Sequence, residues 1–153
     1  MKIVITDGRD KRFIALCHKL DEYLNEIVGG KEMRENYNHY NTLEDIHDVV
    51  LVLEDENAIG CGSFKKYSGN EAEVKRVFVC GEHRKSGCGR KIMEEIEILA
   101  KEKGYRYLVL ETGEPLENAM KLYRSMRYEV VDNYGQYENM PESICMKKSL
   151  SPT

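Results

Sequence analysis

At 153 residues the chain has the length of one domain, enough to bury one good core but not two. With 41% hydrophobic and 33% charged residues it reads as an ordinary soluble globular protein, and a formal net charge of −4 leaves no basic footprint for nucleic acid while suiting a small cationic substrate. No apolar run approaches the roughly 20 residues of a membrane span, and no secretory leader pattern opens the chain, so the sequence predicts a cytoplasmic protein without a membrane partner.

Lys2 to Thr6 contains Ile3, Val4 and Ile5 and predicts a first strand ended by Asp7-Gly8. From about Asp10, Phe13, Ile14, Leu16, Cys17, Leu20, Tyr23, Leu24 and Ile27 recur at helical spacing, and Gly29-Gly30 stops the helix. The polar, aromatic-rich stretch from Glu35 to Asn41 has no periodicity. Its Tyr37, His39 and Tyr40 are as suited to lining a substrate pocket as to a solvated connector. Thr42 can cap a short helix through Asp45 to His47.

Val49 to Leu53, a turn at Asp55-Glu56-Asn57, Ile59 to Tyr67, a second turn at Ser68-Gly69-Asn70 and Glu71 to Cys80 read as an antiparallel meander. Gly60 and Gly62 inside the third strand mark a bulge or a close backbone approach. A helix from about Gly87 to Lys103 presents Ile92, Met93, Ile96, Leu99 and Ala100 on one face, and Gly104 ends it. Tyr107 to Leu110 is nearly continuous in apolar residues, as in a strand covered on both faces. A helix from about Leu116 to Met126 follows. Two more strands, Tyr128 to Asp132 and Ser143 to Lys148, flank Asn133 to Tyr137, and residues 151–153 form a short tail to a single domain of residues 1–150.

The five cysteines, Cys17, Cys61, Cys80, Cys88 and Cys145, are scattered and odd in number, so they read as reduced thiols. Cys80, His83 and Cys88 lack a fourth ligand and match no common zinc spacing, so no metal is expected.

The chemistry concentrates between Glu73 and Glu111, where Arg84-Lys85-Ser86-Gly87-Cys88-Gly89 feeds a long helix. The first turn of a helix has N–H groups without intrahelical partners and carries partial positive charge, so an anion fits there. Gly87 and Gly89 let the backbone come close to a pyrophosphate, and Arg84, Lys85, Arg90 and Lys91 add four cations within eight positions. A dinucleotide fingerprint would need Gly where Ile92 stands, and a P-loop would need Lys followed by Ser or Thr where Arg90-Lys91 stands.

The loop is similar to the Arg/Gln-x-x-Gly-x-Gly/Ala loop of the GNAT superfamily of acetyl-CoA-dependent N-acetyltransferases. Glu73 to Val79 before it, Gly104 to Thr112 after the helix and then Asn118-Ala119-Met120-Lys121-Leu122-Tyr123 keep the order and spacing of that family. The resemblance implies an α/β (α+β) single-domain fold, a mixed, centrally splayed sheet of about six to seven strands flanked by about four helices. It implies acetyl-CoA as cosubstrate in the gap between the strands ending near Val79 and near Thr112. Its pantetheine arm would lie on main-chain groups of Phe78 and Val79, and its pyrophosphate on Gly87, Cys88, Gly89 and Arg90. Arg84 and Lys85 would stand at the rim, with Lys85 reaching the 3′-phosphate, and Asn118 at the pantetheine amides. In this analogy Tyr123 protonates the leaving thiolate. Glu73, eleven positions before Arg84, is the candidate general base, although a strand Glu near Lys75 and Arg76 reads equally as a paired surface residue, and ordered water serves in some relatives. Tyr134 and Tyr137 join Tyr37, His39 and Tyr40 as candidate substrate residues.

One departure stands out. The family commonly carries Gly before an aromatic residue after the tyrosine, and here Arg127 precedes Tyr128. The expected activity is direct transfer of acetyl to a primary amine of a small molecule or amino acid, in a ternary complex. The alternatives are a non-catalytic acyl-CoA sensor and a protein or peptide N-acetyltransferase. Dimerisation is common among relatives, so a homodimer is in keeping with the resemblance.

Overall fold

The computed structural model describes residues 1–27, 43–84, 86–113 and 117–150. The candidate loop residues Tyr37, His39 and Tyr40, the capping Thr42, the rim residue Lys85 and the tail 151–153 lie outside the described residues.

The elements in order are β1 (Lys2–Thr6), α1 (Lys11–Ile27), β2 (Asp48–Glu54), β3 (Asn57–Lys66), β4 (Glu71–Val79), α2 (Cys88–Glu102), β5 (Tyr107–Thr112), α3 (Glu117–Ser125), β6 (Glu129–Val131) and β7 (Ile144–Ser149). The seven strands form a mixed sheet, hydrogen-bonded in the order β1-β2-β3-β4-β5-β7-β6. Three α-helices lie among the described residues, fewer than the four expected. The expected short helix before β2 is one 3-10 turn, Leu43–Asp45. Gly8 donates its N–H to Ile46 O at 2.8 Å, and a Cβ on Gly8 would stand 2.0 Å from Leu43 O, so the chain is pressed into a tight turn before β2 begins. Among the described residues no helix is long and apolar enough to cross a membrane.

The chain divides into two compact units, residues 1–65 with 75–96 and residues 66–74 with 97–153. In the first, β1 pairs antiparallel with β2 and β2 with β3. The β2–β3 connection is a two-residue turn in which Asp55 (φ 50°) and Glu56 (φ 68°) are both left-handed, as a type I′ hairpin requires. A register shift at Val52/Leu53 leaves Ile59 as the extra residue of a bulge beside Gly60. Phe13, Leu16, Cys17 and Leu20 of α1 pack with Val49, Leu51, Leu53, Cys61 and Phe78 into one core. Neighbouring strand residues point to opposite faces, so Gly60 and Gly62 turn away from that core and toward α2. A Cβ on Gly62 would meet Ile92 Cγ2 at 2.5 Å and Ile96 Cδ1 at 2.7 Å. The two glycines are a notch into which α2 settles, and that seating fixes where the N-terminus of α2 stands.

In the second unit, β4 and β5 pair in parallel through Glu71↔Tyr107, Ala72↔Leu108 and Glu73↔Val109. Beyond these pairs β4 runs on to Val79 and β5 to Thr112. β7 is antiparallel to both β5 and β6. The spacing Met120, Tyr123, Met126 gives α3 and its last turn a buried stripe. After α3, Arg127 takes φ 74°, the conformation a glycine would adopt at that point, and Tyr128 N–H closes on Tyr123 O at 3.0 Å.

Candidate active site

In the first unit the loop between β4 and α2 is anchored at both ends. Cys80 donates its N–H to Ile59 O at 2.9 Å, a 3-10 turn spans Gly81–His83, and Ser86 Oγ donates to His83 O. Arg84 Nε donates to Val79 O at 3.0 Å, and its guanidinium lies 4.3 Å from the Tyr23 ring centre and 5.5 Å from that of Phe78. Arg84 thus straps the loop to the end of β4 and to α1. The Val79 carbonyl, which the family resemblance assigns to the pantetheine arm, is engaged by Arg84. The Phe78 side chain is buried against Tyr23, with ring centroids 6.2 Å apart.

Gly87 has φ 86°, and no atom lies within 4 Å of where its Cβ would be. The first intrahelical bond runs from Lys91 N–H to Gly87 O at 3.0 Å, so helical geometry supplies no carbonyl within α2 for the N–H groups of Cys88, Gly89 and Arg90. This open, left-handed cradle at a helix N-terminus fits the diphosphate of an acyl-CoA. Cys88 is buried, with its Sγ 3.0 Å from the Cβ position of Gly60, so its side chain points into the sheet while its backbone faces the loop. Burial pushes the Cys88 thiol up, with smaller contributions from Cys80 and Glu54, which keeps it protonated and unreactive.

In the second unit the titratable side chains gather around β4, β5 and β7. Glu73 is 2% exposed, which removes the solvated surface alternative for it. Tyr134 Oη donates to Glu73 Oε2 at 2.7 Å. The Tyr134 ring meets Tyr67 edge-on at 4.8 Å and Tyr137 at 5.5 Å. Ser143 Oγ donates to Glu111 Oε2 at 2.8 Å, and Glu111 sits opposite Cys145 in the β5–β7 ladder. Burial first, then Glu73 and Glu111, raise the Tyr137 phenol well beyond its ordinary range.

Tyr123 on α3 is buried, and burial followed by the Glu111 charge pushes it up to about 12. It therefore remains a proton donor at any physiological pH. Its ring meets Tyr128 at 5.8 Å, and Tyr128 in turn donates to Glu97 at 2.9 Å. Asn118 is exposed in the first turn of α3. Of the sequence-derived candidates, Glu73, Tyr123, Tyr134 and Tyr137 fall in this unit and the loop residues in the other.

Glu111 and Ser143 were not anticipated as site residues. A signal for Glu111 exists in the sequence, since a carboxylate at the C-terminal end of an otherwise apolar strand is where open α/β sheets place ligand contacts.

The model of the acetyltransferase (GNAT) family matches residues 13–128. The chain is 31% identical over 142 residues to an IAA acetyltransferase from Azospirillum brasilense, covering 90% of each. A crystal structure from Klebsiella pneumoniae, assigned to the acyl-CoA N-acyltransferases, superposes with a TM-score of 0.80 at 25% identity, covering 98% of this chain and 97% of that one. A PaiA N-acetyltransferase from Thermoplasma acidophilum, in complex with coenzyme A, shares the fold at 20% identity with a TM-score of 0.73, over 97% of this chain and 99% of that one. With its matched region running from α1 through α3, and the glycine cradle within that region, the chain belongs to the acetyltransferase (GNAT) family and is an acyltransferase.

Proposed function

We propose that the protein transfers an acetyl group from acetyl-CoA to a primary amine of a small molecule or amino acid, by direct attack in a ternary complex. One observation carries the reading: a buried carboxylate, Glu73, and a buried phenol held protonated, Tyr123, occur in the same compact unit. Amine acetylation needs that pair of opposite proton tasks.

Alkylamines are mostly charged at neutral pH, so the acceptor must lose a proton before its lone pair can attack. Solvent takes one proton of the ammonium, and Glu73 takes a second as the nitrogen attacks. The new C–N bond forms at the thioester carbonyl and the C–S bond breaks. The departing thiolate takes the Tyr123 proton, and solvent returns the proton held on Glu73 to Tyr123. The net products are the amide, free CoA and the one proton that the ammonium gave to solvent. Main-chain N–H groups at Gly87 to Arg90 hold the diphosphate in this reading, with Asn118 at the pantetheine amides.

The test is an acetyl-CoA consumption screen across amines, amino acids, polyamines and peptides, with Tyr123→Phe alongside. A small amine turned over by the wild type, with kcat reduced about a hundredfold in Tyr123→Phe, is the expected result. Coenzyme binding without turnover on any acceptor would make the protein an acyl-CoA sensor. Turnover restricted to peptides would make it a polypeptide N-acetyltransferase.

A further inference from the structure

Resting on the reading of Glu73 as proton acceptor, we infer that Tyr134 is its positioning residue: the phenol fixes the orientation of the Glu73 carboxylate. The terminal torsion of a glutamate is broad and roughly two-fold, so a buried carboxylate needs a fixed donor if one orientation is to persist. Tyr134 supplies that donor across 61 positions of sequence, with Oη 2.7 Å from Glu73 Oε2.

The phenol is itself held. Tyr67 and Tyr137 contact its ring edge-on at 4.8 and 5.5 Å. The following residue, Gly135, takes φ 51° and puts its Cβ position 3.3 Å from the Tyr67 ring. Asn133 Nδ2 donates to Tyr137 O at 3.2 Å and to Met140 O at 3.0 Å, closing the segment on itself. A loop stapled in this way presents a rigid donor. Burial, and after it the Glu73 charge, raise the Tyr134 phenol far above its usual value, so the donated proton is not lost within the working range.

Among the other groups coupled to Glu73 are Tyr137 from the same loop and Cys145 from β7. Glu111 on β5 acts on both of these, and Lys75 follows Glu73 on the same face of its own strand. Tyr134 therefore holds Glu73 Oε2 in one place, so that the carboxylate meets the acceptor in a single orientation.

The experiment compares wild type with Tyr134→Phe, which removes the hydroxyl and leaves the ring packing. Protein labelled with carboxyl-¹³C glutamate, with the Glu73 resonance assigned by its loss in Glu73→Gln, reports the surroundings of that side chain directly. In Tyr134→Phe that resonance should move or broaden, and kcat with the fastest amine of the panel above should fall about tenfold while KM stays within about twofold. Acetyl-CoA affinity by calorimetry should stay within about twofold. An unchanged Glu73 resonance, or a changed one with kcat unaltered, overturns the inference while leaving the acetyltransferase reading intact. A fully active Glu73→Gln overturns the reading of the base itself, and the inference with it.

Discussion

Replacing Gly62 with Ala tests whether the glycine notch seats α2, the helix proposed to bind the coenzyme. The new methyl would stand 2.5 Å from Ile92 Cγ2, 2.7 Å from Ile96 Cδ1 and 3.5 Å from Val77 Cγ2, where carbon atoms in contact normally sit about 3.5–4.0 Å apart. Two effects oppose each other. At a glycine with ordinary backbone angles, Ala stabilises by about 0.4–1 kcal/mol through a less mobile unfolded chain. Overpacking a filled core costs about 1–3 kcal/mol. Ile96 Cδ1 is the end of a flexible chain and can rotate away. Ile92 Cγ2 is attached to a β-branched carbon with one favoured helical rotamer, and Ile92 is 0% exposed, so it yields only if α2 moves. Overpacking wins, and Gly62→Ala should lose about 1–2 kcal/mol, seen in urea melts as a lower midpoint at unchanged slope. Gly69→Ala is the control, since nothing lies within 4 Å of its Cβ position, and it should be neutral or slightly stabilising. Because α2 carries Cys88 to Arg90, acetyl-CoA affinity should weaken in Gly62→Ala and not in Gly69→Ala. A Gly62→Ala protein as stable as the control would refute the notch.

Cys88→Ala should keep activity within a few-fold and lose about 1 kcal/mol of stability, because the thiol is buried at 1% exposure and held protonated; a variant that binds acetyl-CoA without turnover would instead establish a covalent acetyl-enzyme. Arg127→Gly should gain about 0.5–1 kcal/mol, since Arg127 is exposed and takes φ 74° at a conformation only glycine adopts without strain, and a lowered melting temperature would contradict this. Alkaline pH should destabilise the fold steeply. Tyr123, Tyr128, Tyr134 and Tyr137 all bind their protons more tightly when folded than the unfolded value of about 10, so their contribution is fully present below that pH. It is lost as pH rises, for Tyr123 through about 12 and for the others beyond, at about 1.4 kcal/mol per pH unit for each phenol. Urea melts between pH 8 and 11 measure the slope, to which the raised thiols of Cys61, Cys88 and Cys145 also contribute and which Tyr123→Phe should lower without abolishing; a flat profile would refute the burial of these groups.

The two halves of the chemistry differ in how much of them a linear reading can reach, and the reason is sequence distance. The proposed coenzyme loop is contiguous: Arg84 to Lys91 carries its glycines, its cations and its helix start in one stretch, and the role proposed for it uses backbone that the glycines make available. Gly60 and Gly62 were legible for a related reason, because a glycine inside a strand has no side chain to pack and so points to a bulge or a close neighbour, and both are found there. Arg127 marks where local rules stop deciding. Its positive φ is unfavourable by about 1 kcal/mol, yet the turn forms because it satisfies the end of α3 and buries Tyr128, a contribution that lies in tertiary packing. The 3-10 turn at Leu43–Asp45 depends in the same way on Gly8, some 35 positions earlier. The acceptor side is made almost entirely of such long-range pairings: Glu73 with Tyr134, Glu111 with Ser143, and the Glu111 charge acting on Tyr123. Helical and strand periods relate residues two to four apart, so they could place each of these side chains on an element but could not bring the elements' residues to one another. The same separation would let the proposed acceptor residues change one at a time without touching the loop proposed to hold the coenzyme, and a fold so divided can serve many substrates.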